Sequence, residues 1–308
     1  MIVLTAIAGA VVLIAAVFAI AAASSFNKVY ARRKDIVIDD GGKRCGIDVN
    51  WFETVKDGTE RVEISAFDGV PLGGYLIRSA PNNKRVAIVM HGYGANTRTV
   101  QPYARIFFEL GFDVLLPAAR AHEISGGKHV GMAWLDRFDI LRWIDKIISL
   151  YGEGVGIALY GISMGGSTVV SVAGMTPPRQ VKCVIDDCGY SSLVDEFGHL
   201  TRKVPLPRAV RLAPLSLATR LKLGYATSDA DVCALAGKAE IPALFIHGEA
   251  DKFVPLSLGR KLFDAYACED KRFVAFENAA HACSYITDGD KYREVVADFI
   301  GHVFAPEP

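Results

Sequence analysis

Gly161-Ile162-Ser163-Met164-Gly165 stands between an apolar run at 156–160 and a stretch compatible with a helix. A G-x-S-x-G alone is weak in a chain with 29 glycines; its context makes it a constraint. A serine at the turn from strand to helix needs a strained backbone, and small residues on both sides where strand and helix approach. That geometry lifts the hydroxyl above a sheet edge and turns the N-terminus of the following helix toward it.

The rest of the chain supplies the sheet. Runs at 62–67 and 72–77 flank Asp68-Gly69, a hairpin pair. Runs at 86–90, 114–117, 156–160, 181–186 and 243–246 are mostly apolar, as in strands buried on both faces of a parallel sheet, and 273–276 is a shorter candidate. Leu135, Phe138, Leu141, Ile144 and Ile148 recur at helical spacing, as do Tyr292, Val295, Val296, Phe299, Ile300 and Val303. Pro255 begins another helix through Leu258, Leu262 and Phe263. Alternation of strand and helix predicts a three-layer α/β sheet with right-handed crossovers.

Composition narrows the function. The 34 basic and 34 acidic residues cancel, which offers nucleic acid no basic footprint. Six cysteines (45, 183, 188, 233, 268 and 283) show no C-x-x-C spacing, so neither a zinc site nor a disulfide scaffold is expected. Residues 2–23 carry no charge, and 22 helical residues reach about 33 Å, enough for a bilayer core of about 30 Å. The expectation is a membrane anchor over 1–25, a polar tether and lead-in over 26–58, and a catalytic domain over 59–308. A cleaved secretory signal ending near Ala21-Ala22-Ala23 is the competing reading. Lys28, Arg32, Arg33 and Lys34 follow the run, which predicts a single-pass protein of the cell membrane with its catalytic domain in the cytoplasm.

The segment from about 191 to 237 breaks the strand–helix rhythm and reads as a cap. It carries Arg202, Lys203, Arg208, Arg211, Arg220 and Lys222 with no acid between His199 and Ser228. Its cations suit an anionic substrate, an anionic lipid surface, or a plain solvated face.

A serine hydroxyl needs a histidine base oriented by a carboxylate, in the chain order serine, acid, histidine. His199, His247, His281 and His302 follow Ser163. His199 opens the cap, His247 ends a strand, and His302 lies in the last helix. His281 occupies a small-residue loop, Asn278-Ala279-Ala280-His281-Ala282, and is the expected base. Asp251, just past the strand at 243–246, is the expected acid, with Glu249 its nearest rival and Asp186 or Asp187 a second. The oxyanion needs two backbone N–H groups. Met164 follows the nucleophile, and Tyr93 lies in His91-Gly92-Tyr93-Gly94 after the strand at 86–90. Tyr93 and Trp134 are also expected to line the substrate, although Trp134 suits a core aromatic equally. Cys188 and Cys283 lie near the expected site, as small buried hydrophobes or as reactive thiols.

These motifs, with Gly131-Met132-Ala133-Trp134-Leu135-Asp136-Arg137-Phe138-Asp139, make residues 46–305 resemble an α/β-hydrolase, in the bacterial serine-hydrolase branch of esterases and S9/S33-peptidase-like proteins. The resemblance implies an eight-stranded, mostly parallel sheet with one antiparallel strand, a cap after strand six, and no metal or cofactor. Relatives often read R-x-H-G-x-S-x-G where this chain has Arg120-Ala121-His122-Glu123-Ile124-Ser125-Gly126-Gly127. Glu123 therefore departs from the pattern. The expected function is hydrolysis of carboxylic esters, on a small and lipophilic acyl substrate, through an acyl-enzyme. A thioesterase or peptidase using the same residues, and a non-catalytic membrane scaffold, are the alternatives.

Overall fold

Eight apolar runs become strands in the computed structural model, which describes residues 2–32 and 50–305. Residues 33–49, which hold most of the expected tether together with Arg33, Lys34 and Cys45, lie outside the described residues. The strands are β1 Thr59–Ser65, β2 Pro71–Ile77, β3 Arg85–Met90, β4 Asp113–Pro117, β5 Gly156–Ile162, β6 Val181–Asp187, β7 Ala243–Gly248 and β8 Lys271–Phe276. They form one sheet in the order β1-β2-β4-β3-β5-β6-β7-β8. β2 runs antiparallel to β1 and β4, and all other pairings are parallel. The central strands are buried almost throughout, whereas the edge strands β1 and β8 are largely open on one side. That contrast follows from helices covering both faces of a parallel core.

The helices are α1 Ile2–Tyr30, α2 Trp51–Val55, α3 Gln101–Glu109, α4 Asp136–Tyr151, α5 Met164–Ala173, α6 Leu193–Leu200, α7 Arg208–Leu223, α8 Val232–Ala236, α9 Leu256–Ala265, α10 Ser284–Thr287 and α11 Gly289–Val303. Two layers follow from strand parity. Ala87 and Val89, Ala158 and Tyr160, and Leu244 and Ile246 point to one face, where they pack with Val100, Phe107, Tyr292 and Phe299 of α3, α11 and their approaches. Phe245 points to the other face and meets Phe263 of α9 edge-on, in a layer where α5 packs on β5 and β6. Local chemistry marks several helix ends. Asn96 accepts from the N–H groups of Arg98 and Thr99 just ahead of α3, Asp288 caps α11, and α4 stops at Gly152, where φ is 80°.

The described residues divide into two compact units: residues 32 and 50–191 with 232–305 hold the sheet, and 2–31 with 192–231 form the second. In the second unit α1 packs along α7. α1 continues to Tyr30, past the expected boundary at residue 25, because Phe26 and Tyr30 are fully buried. The Tyr225 hydroxyl donates to the Tyr30 hydroxyl at 3.3 Å, and the Lys222 ammonium stands 4.4 Å from the Phe26 ring. Strand-like pairing of Ser192 with Asp231 closes the neck of the 192–231 excursion. The anchor expected over 1–25 falls partly on side chains outside the described residues. Among the described residues no helix is long and apolar enough to cross a membrane.

Candidate active site

Ser163 takes φ 57° and ψ −117°, a left-handed conformation costing about 1–3 kcal/mol in a non-glycine residue. The sheet holds it there, since the Ser163 N–H donates to the Asp187 carbonyl at 2.7 Å. Glycine is required beside it: a Cβ on Gly161 would strike the Gly165 carbonyl, and one on Gly165 the Met90 carbonyl. The loop after β3 also comes close, and a Cβ on Gly92 would lie 3.3 Å from Ser163 Cβ.

Two more loops at the same sheet end bring in His281 and Asp251. The Ser163 hydroxyl donates to His281 Nε2 at 2.9 Å, and His281 Nδ1–H donates to Asp251 Oδ2 at 2.7 Å. The other carboxylate oxygen, Oδ1, accepts from the N–H groups of Phe253 and Val254, both at 2.9 Å. Asp251 is thereby buried but fully hydrogen-bonded, the condition for keeping a carboxylate out of water. The Phe253 ring lies 4.9 Å from the imidazole, a neighbour that the spacing of the motif does not reveal. Glu249, the rival acid, is exposed. Asp186 accepts from the Gly189 N–H, and Asp187 from the hydroxyls of Tyr160 and Tyr292, so both are engaged elsewhere. Burial pushes the Asp187 carboxyl up to about 6.

Met164 begins α5, where the first N–H groups have no intrahelical acceptor. The backbone on either side of Tyr93 is pinned by two buried histidines. His91 Nδ1–H donates to the Gly92 carbonyl at 2.8 Å while its Nε2 accepts from the Ala119 N–H at 3.0 Å. His122 Nε2 accepts from the Gly94 N–H at 3.0 Å, and its Nδ1–H donates to the Arg120 carbonyl. Each ring needs one bare nitrogen, so each must be neutral. Burial first, and the facing His122 second, push His91 down to about 3. No spacing rule marks His122, because its partner lies on a separate loop. Glu123, which stands where the resembled pattern has glycine, still adopts the left-handed φ, 40°. Its carboxylate accepts from the Thr97 N–H and hydroxyl, and its carbonyl from Arg32. Those bonds hold a side chain where glycine would be free of strain.

Trp134 is half-buried, with the Arg137 guanidinium 3.5 Å from its ring centre. Among the later histidines, His199 bonds Arg202 and His302 bonds Asp270 on the exposed surface, and His247 is buried and donates to the Val254 carbonyl. Cys283 Sγ–H donates to the His281 carbonyl. Cys188 is buried, and its sulfur, an Asp251 oxygen and a His281 nitrogen lie within 4.8 Å of one another. The ring and carboxylate bond each other, and burial pushes the Cys188 thiol well up, favouring the protonated form over a metal-binding thiolate. A second pushed-up acid, Asp136, reaches about 7 through burial and the nearby Asp139, and accepts from the Ala133 N–H.

A strained serine over a parallel sheet, bonded to an imidazole that is bonded in turn to a carboxylate, can supply an activated hydroxyl nucleophile. The comparisons agree at the level of fold. Residues 81–186 match the family model described as serine aminopeptidase, S33. An uncharacterized Bacillus subtilis protein, YqkD, is 28% identical over 253 residues, covering 79% of this chain and 81% of that one. The solved Pyrococcus furiosus esterase Pf2001 superimposes with a TM-score of 0.68 at 19% identity, over 82% of this chain and 95% of that one. Est1E from Butyrivibrio proteoclasticus, solved with ferulic acid bound, gives 0.64 at 20% identity, over 80% and 100%. The chain has the α/β-hydrolase fold.

Proposed function

We propose that this chain is a serine hydrolase of carboxylic esters, working through an acyl-enzyme. The observation that carries the reading is the unbroken row from the Ser163 hydroxyl through His281 to Asp251, at 2.9 and 2.7 Å. Ser163 Oγ attacks the ester carbonyl while His281 Nε2 takes its proton. The tetrahedral oxyanion sits against the amides of Tyr93 and Met164. His281 then gives the proton to the departing alkoxide, leaving an acyl group on Ser163. A water deprotonated by His281 adds to that acyl carbon, and collapse frees the acid and restores the serine. Asp251 keeps the proton on Nδ1, so that Nε2 is the free base, and stabilises the imidazolium. Tyr93 and Trp134 are the proposed pocket walls, and no metal or cofactor enters the scheme. The esterase neighbours favour a small-molecule ester; the same residues would also serve a thioester or amide. The apolar run over residues 2–23 supports a single-pass anchor in the cell membrane, with the catalytic unit on the cytoplasmic side because its cationic flank, Lys28 and Arg32, follows the run.

The test is parallel turnover by detergent-solubilised full chain of p-nitrophenyl esters of rising acyl length, acyl-CoA thioesters and aminoacyl anilides. The expected result is kcat/KM highest on an ester. A thioester or anilide preferred tenfold or more would move the chain to another reaction, and no turnover of any would leave a non-catalytic hydrolase fold.

A further inference from the structure

A helix on a protein surface normally presents one apolar face to its neighbours and polar side chains to water. α7 has apolar side chains on both faces. Leu212, Leu215 and Ala218 are buried. On the opposite side Val210, Leu217 and Leu221, spaced by seven and then four residues, are exposed, Leu221 by 76%. α1, in the same compact unit, repeats the arrangement. Ala22, Phe26 and Tyr30 are buried, while Leu13, Val17 and Ile20 stand out on the other side, Ile20 by 69%. Val204 and Leu206, in the turn between α6 and α7, are exposed as well. Most of the large apolar side chains exposed among the described residues belong to this unit.

The charges beside this surface say what covers it. Arg202 and Lys203 are exposed in the same turn as Val204 and Leu206, and no acid occurs from Leu200 to Ser228. Arg208 and Arg220 have partners at the margins, Asp195 at 3.2 Å and Asp229 at 3.3 Å. Aliphatic side chains standing beside uncompensated cations fit the boundary of an anionic bilayer, where chains enter the acyl region and ammonium or guanidinium groups meet phosphates. A second copy of this unit would instead bring cations against cations.

We propose that α7 and the turn leading into it lie on anionic phospholipid through Val210, Leu217, Leu221, Val204 and Leu206, with Arg202 and Lys203 at the headgroups. This contact is separate from an anchor at residues 1–25 and does not depend on the hydrolase reading. The experiment is hydrogen–deuterium exchange of the full chain, one copy per lipid nanodisc, in phosphatidylcholine alone or mixed with phosphatidylserine. Peptides covering 202–223 are expected to exchange at least about fivefold more slowly in the anionic discs, and R202Q/K203Q to remove most of that difference. The triple variant V210E/L217E/L221E should likewise lose the difference between the two discs, and unchanged far-UV circular dichroism would show that it is folded. Equal exchange of 202–223 in the two discs overturns the proposal. So does slowing in detergent solution that grows with protein concentration, which would assign the surface to a second copy.

Discussion

Asp251 and Glu249 are two residues apart, yet only Asp251 has both carboxylate oxygens occupied, one by the His281 ring and one by two backbone N–H groups. Asp251→Asn should therefore lower kcat by as much as ~10⁴, by disturbing the imidazole tautomer, while Glu249→Gln should leave it within about threefold. Steady-state kinetics on a p-nitrophenyl ester checks both. His91 makes a different prediction. In the unfolded chain it takes up a proton below about 6.5, whereas in the fold it resists until about 3. The unfolded state binds more protons in that window, so this histidine's contribution to stability is complete above it and is lost as pH falls through it. Asp136 and Asp187, pushed up to about 7 and about 6, act with the opposite sign: what they contribute is present below the ordinary carboxylate range and lost as pH rises through those values. The difference between wild type and His91→Gln isolates the histidine. The variant should be less stable at pH 7, with the gap in melting temperature narrowing toward pH 4.5. A gap that widens on acidification would mean that His91 is not held neutral.

Strand ends were the most legible part of the sequence, because a run of apolar residues stopping at a polar or glycine residue marks both the strand and the loop that follows. Ser163, Asp251 and His281 each follow such a run, so loop position and the expected order serine, acid, histidine pointed to them, with Glu249 a rival acid, and the fold brings these three to one sheet edge. The support for the loop after β3 was legible only in part. His91 could be read as a brace from its own loop, but the bond from the Gly94 N–H to His122 joins two loops 28 residues apart and leaves no periodic trace. Nor could spacing show that Phe26 and Tyr30 would be buried in the unit that holds α7, extending the first helix to residue 30. The elbow itself invites a test. In Gly165→Ala the new methyl meets the Met90 carbonyl, which is backbone and cannot turn aside. The cost should exceed the roughly 1–3 kcal/mol of ordinary overpacking. Thermal melting should show a clear loss of stability, and an unchanged melting temperature would mean that the backbone at Gly165 and Met90 can move apart.

The described residues comprise a frame built on one sheet and a second unit assembled from the first helix and the 192–231 excursion. The frame is common to many chemistries, and what makes this one a proposed esterase is a single row of three side chains drawn from three loops. The most direct measurement is intact-protein and peptide mass spectrometry of the full chain after reaction with a fluorophosphonate. One adduct per chain is expected, on the peptide holding Ser163, and none in Ser163→Ala. Labelling that persists in Ser163→Ala, or a folded wild type that takes up no probe, would contradict it.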